Sequence, residues 1–161
     1  KQKKIAIIMG TRSDLAEVEK TAKVLSDLGI GYEMHIISAH RTPDTASGFA
    51  QRAEAEGFDV IIAAAGKAAH LAGVMAAGTV LPVIGIPMKT GDLGGMDSLL
   101  STVQMPKGVP VATVAIGGAE NAAILAAQIL ACSDNGLRAA LKEYRKKMAE
   151  EVAEADRELN K

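Results

Sequence analysis

The stretch Lys4-Ile5-Ala6-Ile7-Ile8-Met9 decides the fold, read together with the turn Gly10-Thr11-Arg12-Ser13-Asp14 and with Leu15, Val18, Ala22, Leu25 and Leu28 beyond it. Six residues, mostly apolar and β-branched, read as a strand buried on both faces. The polar turn stops it, and the apolar positions that follow recur at helical spacing until Gly29, a natural helix stop. A buried strand, a turn and an amphipathic helix make the first half of a βαβ unit.

The same alternation continues. Residues 32–37 read as a second strand, and Pro43 and Asp44 open a helix that runs to about Gly57. Residues 59–64 read as a third strand, 70–78 as a short helix and 82–86 as a fourth strand. A glycine-rich loop spans 87–97, with a helix over 97–103, a fifth strand over 111–116 and a very apolar helix over 119–132. Strands alternating with helices predict a mainly parallel sheet, and right-handed crossovers place helices on both faces. The expectation is a three-layer α/β sandwich with a five-stranded, flavodoxin-like sheet in the order 2-1-3-4-5. Ser133-Asp134-Asn135-Gly136 breaks the pattern before a last helix over 137–159. Leu137, Leu141, Tyr144, Met148, Val152 and Leu159 form a stripe on that otherwise charged helix. Its own domain and another subunit stand equally as the stripe's partner. One domain covers residues 1–161, with no repeat, low-complexity tract or linker.

Composition excludes several function classes. Eighteen Lys and Arg against 19 Asp and Glu leave no basic excess for nucleic acid. No apolar run approaches the ~20 residues that cross a bilayer, and nothing near residue 1 reads as a signal peptide. A single cysteine, Cys132, allows no internal disulfide and fits a reducing cytoplasm; at the end of an apolar helix it reads as a packing residue. Tryptophan is absent, four residues are aromatic and 29 are alanine. Small side chains let helices approach closely, which hints at contact between subunits.

In such sheets ligands bind outside the carboxyl ends of the strands, so the loops carry the chemistry. Gly10, Thr11, Ser13 and Asp14 lead into a helix, where open N–H groups favour an anion and Asp14 can accept from a ribose. The plainer alternative is that Ser13 or Asp14 simply caps the helix. The loop has neither the lysine and glycines of a Walker motif nor the dinucleotide fingerprint. Ser38-Ala39-His40-Arg41-Thr42-Pro43 follows the second strand. His40 suits proton transfer near neutral pH, and Arg41 suits a two-point grip on phosphate. Gly66, Lys67, His70 and Leu71 follow the third strand. Lys67 is either an attractor for a carboxylate or phosphate or a solvated charge, and His70 either packs or serves the site. His35, inside the second strand, reads as structural. The histidines lack metal-ligand spacing, and no metal is expected. The 87–97 loop has the length and glycine content of a lid.

Several segments carry a family resemblance over residues 5–144. Ser38-Ala39-His40-Arg41-Thr42-Pro43-Asp44, Ala69-His70-Leu71, Asp97-Ser98-Leu99-Leu100-Ser101, Val103-Gln104-Met105-Pro106 and Asn121-Ala122-Ala123 occur in the family's order. The chain resembles the N5-carboxyaminoimidazole ribonucleotide mutases, grouped with the phosphoribosylaminoimidazole carboxylase catalytic subunits of purine biosynthesis. The resemblance implies a homo-octamer, an imidazole ribonucleotide substrate and no cofactor. It implies that Thr11, Ser13, Asp14 and Arg41 hold the ribose phosphate and that His40 is the general acid/base. Residues 66–71 would then surround the carboxylate and released carbon dioxide. The chain departs from the family pattern at Thr11, usually serine, at Lys67, usually glycine, and at Ala72, usually proline. A basic residue at the place of Lys67 resembles the related class that carboxylates the ribonucleotide directly, but that class lacks the histidine at position 70. Direct carboxylation is the alternative reaction. A non-catalytic flavin or nucleotide carrier is the alternative class, disfavoured because Tyr32 and Tyr144 are poorly placed to flank a flavin. A phospho-receiver is disfavoured because Gly10 and Ala63-Ala64-Ala65 stand where an acidic cluster is needed.

Overall fold

The computed structural model describes residues 1–161. The strands are β1 (Lys4–Met9), β2 (Gly31–Ile36), β3 (Val60–Gly66), β4 (Val83–Met88) and β5 (Ala112–Thr113). They form one sheet in the order β2-β1-β3-β4-β5, and every pair is parallel. The helices are α1 (Leu15–Asp27), α2 (Pro43–Ala53), α3 (Leu71–Ala77), α4 (Met96–Val103), α5 (Ala119–Ala131) and α6 (Asn135–Leu159). This is the expected flavodoxin-like arrangement, with the crossover between β1 and β3 at the expected place.

Strand alternation divides the core into two layers. Ile5, Ile7 and Met9 of β1, with Val60, Ile62 and Ala64 of β3, join the buried side chains of α1 and α5. Ala6 and Ile8, with Ile61 and Ala63, face α2 and α3 on the other side. Packing on α4's side of the sheet requires a glycine at 85: a Cβ there would lie 2.4 Å from Thr102 Cγ2 and 3.1 Å from Val111 Cγ1. The alanines of α5 have a use within the chain. Ala119, Ala122, Ala123, Ala126 and Ala127 are fully buried, and Thr21 of α1 donates to the Ala119 carbonyl at 2.7 Å. Small side chains thus bring α5 against α1 of the same chain, so the buried face of this helix is not free for a partner.

Three expectations need correction. The fifth strand is two residues long rather than six, because after Thr113 the ladder to β4 gives way to single bonds from Val114 N–H to the Gly85 carbonyl and from Gly117 N–H to the Pro87 carbonyl. The last helix begins at Asn135: Asp134 is its N-cap, and its carboxylate accepts from the Leu137 N–H at 3.0 Å, so Asn135 and Gly136 form the first turn. Cys132 is exposed rather than packed. No helix is long and apolar enough to cross a membrane.

The α6 stripe is covered only at its start. Leu137 is buried and Leu141 packs beside it, whereas Met148, Val152 and Leu159 are 44%, 71% and 84% exposed. Its own domain therefore accounts for about two turns of a helix that extends roughly 37 Å at 1.5 Å per residue.

Candidate active site

Three strand ends meet at the crossover. The chain leaves β1 through Gly10 and Thr11 into a 3-10 turn, Arg12–Asp14. It leaves β2 through residues 37–42 and β3 through residues 67–70. The cleft between them holds about 140 Å³ and is lined by Gly10, Thr11, Asp14, Ser38, Ala39, His40, Arg41, Ala65, Gly66, Ala68, His70 and Leu71.

The first loop is not an ordinary cap. Thr11 caps the 3-10 turn, its hydroxyl accepting from the Ser13 N–H at 3.4 Å. Asp14 occupies the N-cap position of α1 but makes no capping bond with its side chain. One of its carboxylate oxygens is buried without a partner, and burial raises the carboxyl above its usual value. An acceptor held in the cleft with spare capacity suits a ligand that donates hydroxyl hydrogens.

The second loop is tied to itself and to the first. Thr42's hydroxyl accepts from the Ser38 N–H and donates to the Ser38 carbonyl, both at 2.9 Å. Arg41 spans the cleft: Nε donates to Ser38 Oγ at 3.3 Å and Nη2 to the Gly10 carbonyl at 3.0 Å. These bonds hold the guanidinium in place and leave the rest of its five-donor fork for an anion. Beside it, His40 Nε2 and His70 Nδ1 lie 2.8 Å apart, with the rings edge to face at 89°. At that distance one nitrogen of the pair carries the shared hydrogen and the other accepts it.

Of the residues expected from sequence, Gly10, Thr11, Asp14, Ser38, His40, Arg41, Gly66, His70 and Leu71 converge on the cleft. Ser13 and Lys67 do not line it. Ser13 sits on the exposed 3-10 turn, with Oγ 3.3 Å from that of Thr11. Lys67 has a left-handed backbone, φ +54°, and its ammonium pairs with Asp92 of the 87–97 loop at 3.2 Å. That pair is 70% and 80% exposed, so it is a weak tie rather than a latch. His35 pairs with Glu33 at 3.3 Å on β2, away from the cleft. Sequence reasoning gave no individual role to Ala39 and Ala65, which line the cleft with methyl groups together with Ala68 of the 66–71 segment. Their signal was positional, since each lies in a strand-end loop or beside one.

The AIR carboxylase family pattern matches residues 4–151. The chain is 56% identical over 152 residues to a N5-carboxyaminoimidazole ribonucleotide mutase of Brucella melitensis, covering 93% of this chain and 94% of that one. It is 55% identical over 145 residues to the protein of that name in Pyrococcus abyssi, covering 90% and 83%. The crystal structure of Treponema denticola PurE superposes with a TM-score of 0.88 at 29% identity, covering 99% and 100%.

Proposed function

The chain belongs to the AIR carboxylase family, and from that membership we infer that it is an isomerase acting on N5-carboxyaminoimidazole ribonucleotide. It moves the carboxylate from the exocyclic nitrogen to the neighbouring ring carbon, giving 4-carboxy-5-aminoimidazole ribonucleotide for purine biosynthesis. The observation that carries this reading is the convergence of Arg41 and the His40–His70 pair in one cleft. An anion grip and a proton-handling group stand side by side, among relatives that are 50–56% identical and bear the mutase name.

The geometry suggests a division of labour. Arg41 and Thr11 hold the phosphate, and the spare oxygen of Asp14 takes a ribose hydroxyl. His40 delivers a proton to the exocyclic nitrogen as its bond to the carboxylate breaks, releasing carbon dioxide. The electron-rich ring carbon attacks that carbon dioxide, and His40 then removes the ring-carbon proton, so the proton balance closes. Ala39, Ala65, Gly66 and Ala68 present no nucleophile to the gas, and confinement raises its effective concentration. Ser13 and Lys67 bear on the ligand only from the rim.

The same reading extends to assembly and place. An octamer is implied by the resemblance of the chain to its family. The uncovered stripe Met148, Val152 and Leu159 supports a second subunit packing on α6. A cytoplasmic setting accords with a lone cysteine.

The experiment offers the purified protein N-carboxylated ribonucleotide in one assay and decarboxylated ribonucleotide with bicarbonate in another. Turnover of the first far exceeding the second supports the mutase. Efficient use of low carbon dioxide with no turnover of the N-carboxylated compound would make the chain a direct carboxylase, with Lys67 the first residue to examine.

A further inference from the structure

The loop that carries His70 is held from outside the cleft. Its central residue, Ala69, is 1% exposed, and both of its backbone groups end on hydroxyls of α4. The Ala69 N–H donates to Ser101 Oγ at 2.9 Å, and the Ala69 carbonyl accepts from Thr102 Oγ1 at 3.4 Å. Ser101 Oγ in turn donates into its own helix, to the Asp97 carbonyl at 2.7 Å, and stands 3.3 Å from the Lys67 carbonyl. The turn thus pinned contains the only non-glycine residue of the chain with a left-handed backbone, Lys67. For a residue with a Cβ that conformation is unfavourable and persists where its surroundings enforce it. The next residue after Ala69 is His70, whose Nδ1 meets His40 Nε2.

We propose that Ser101 is a positioning residue for the acid/base pair: by holding the Ala69 N–H it keeps the strained Lys67 turn closed and aims His70 at His40. The proposal rests on the assignment of His40 as the acid/base. Ser101 is absent from the cleft lining, so its effect reaches the substrate only through this loop. Arg41 and the Thr11–Asp14 turn belong to other strand ends, so substrate anchoring should survive its removal. The strain at Lys67 supplies a second consequence. A glycine at 67 accepts the left-handed backbone without penalty, so the loop should need its clamp less.

The test compares Ser101→Ala, Ser101→Thr and Lys67→Gly, with the double variant Lys67→Gly/Ser101→Ala. Ser101→Ala is expected to lower kcat about tenfold, the scale of one lost hydrogen bond that leaves a part-buried N–H unpaired, with KM within about twofold. Ser101→Thr, which keeps the hydroxyl, should recover most of that loss. In the Lys67→Gly background the loss from Ser101→Ala should shrink to about threefold or less, a coupling that independent sites would not show. Wild-type kcat in Ser101→Ala, a rise in KM as large as the fall in kcat, or an undiminished loss in the Lys67→Gly background would each overturn the proposal. Should Ser101→Ala fail to fold, Ser101→Cys keeps the size and loses most of the acceptor strength, and is read the same way. Nitrogen NMR of the histidine rings reports on the clamp without any turnover. The His40 and His70 signals should shift together in Ser101→Ala, and unchanged signals would refute the clamp. Full activity in His40→Asn would instead remove the acid/base assignment, leaving the ring signals to judge the clamp alone.

Discussion

Replacing Arg41 by alanine should weaken substrate binding without unfolding the protein. The guanidinium is exposed and makes two bonds in the free enzyme, to Ser38 Oγ and to the Gly10 carbonyl. Both partners are open to water, so truncation leaves no buried orphan and costs little stability. What is lost is a preset fork facing the cleft. A hydrogen bond to a charged group contributes about 1.5–3 kcal/mol. Arg41 is solvent-exposed, and screening puts the expected loss in the lower half of that range. Affinity for the ribonucleotide should therefore fall about 10- to 40-fold. Arg41→Lys keeps the charge but not the two-point geometry, and should lie between the two. Calorimetry on the ribonucleotide and on the matching nucleoside without phosphate separates a lost phosphate grip from a loosened loop. The nucleoside should bind wild type and Arg41→Ala almost equally. Unchanged ribonucleotide affinity in Arg41→Ala, or an equal loss for both ligands, would refute the placement of the phosphate.

His40→Asn should lower turnover about 100-fold or more, the scale of general acid/base catalysis, while its thermal melt stays at the wild-type value because the ring is exposed. Gly85→Ala should destabilise the fold by about 1–3 kcal/mol in urea titrations, since its Cβ would meet Thr102, Val111 and Ala72 at 2.4, 3.1 and 3.3 Å. Burial raises the Asp14 carboxyl, so the folded state holds that proton more tightly than the unfolded chain and the charged form is a penalty on folding. Wild type should therefore lose stability relative to Asp14→Asn as pH rises through the carboxylate range and regain it on acidification; a flat or opposite difference across parallel denaturation curves would contradict this. Light scattering should report an assembly near eight times 16.7 kDa, and truncation after Tyr144 should shift it to smaller species if α6 carries the contact.

The parts of this structure that were legible in sequence are those set by local pattern. Ile5, Ile7 and Met9 alternate with Ala6 and Ile8 because a sheet covered on both faces needs apolar residues on each, and five such strands alternating with helices predicted the observed order. Once the order was set, the loops expected to take a ligand followed from topology, and nine of the expected residues line one cleft between them. What sequence left open or misplaced depends on distant partners. Lys67 stood open between an attractor for an anion and a solvated charge; its backbone turns left-handed and its exposed side chain finds Asp92, 25 residues away. The 111–116 run has strand composition, yet only Ala112 and Thr113 pair before single bonds to Gly85 and Pro87 redirect the chain. The alanines of α5 suggested an interface, but the close neighbour they allow is α1, which sequence spacing cannot reveal. Ser101 lay inside a recognisable segment, and nothing in that segment showed that its hydroxyl would hold a loop 32 residues earlier.

The central claim is that one cleft takes the carboxylate from nitrogen and returns it to carbon before the carbon dioxide escapes. The direct measurement is isotopic. N-carboxylated ribonucleotide labelled with carbon-13 in the carboxylate is turned over in the presence of excess unlabelled bicarbonate and carbonic anhydrase, and the product is weighed by mass spectrometry. Retention of the label in nearly all of the C-carboxylated product is the predicted result. Product carrying mainly unlabelled carboxylate would mean that the gas exchanges with solvent, and the account of this site as a closed transfer would be wrong.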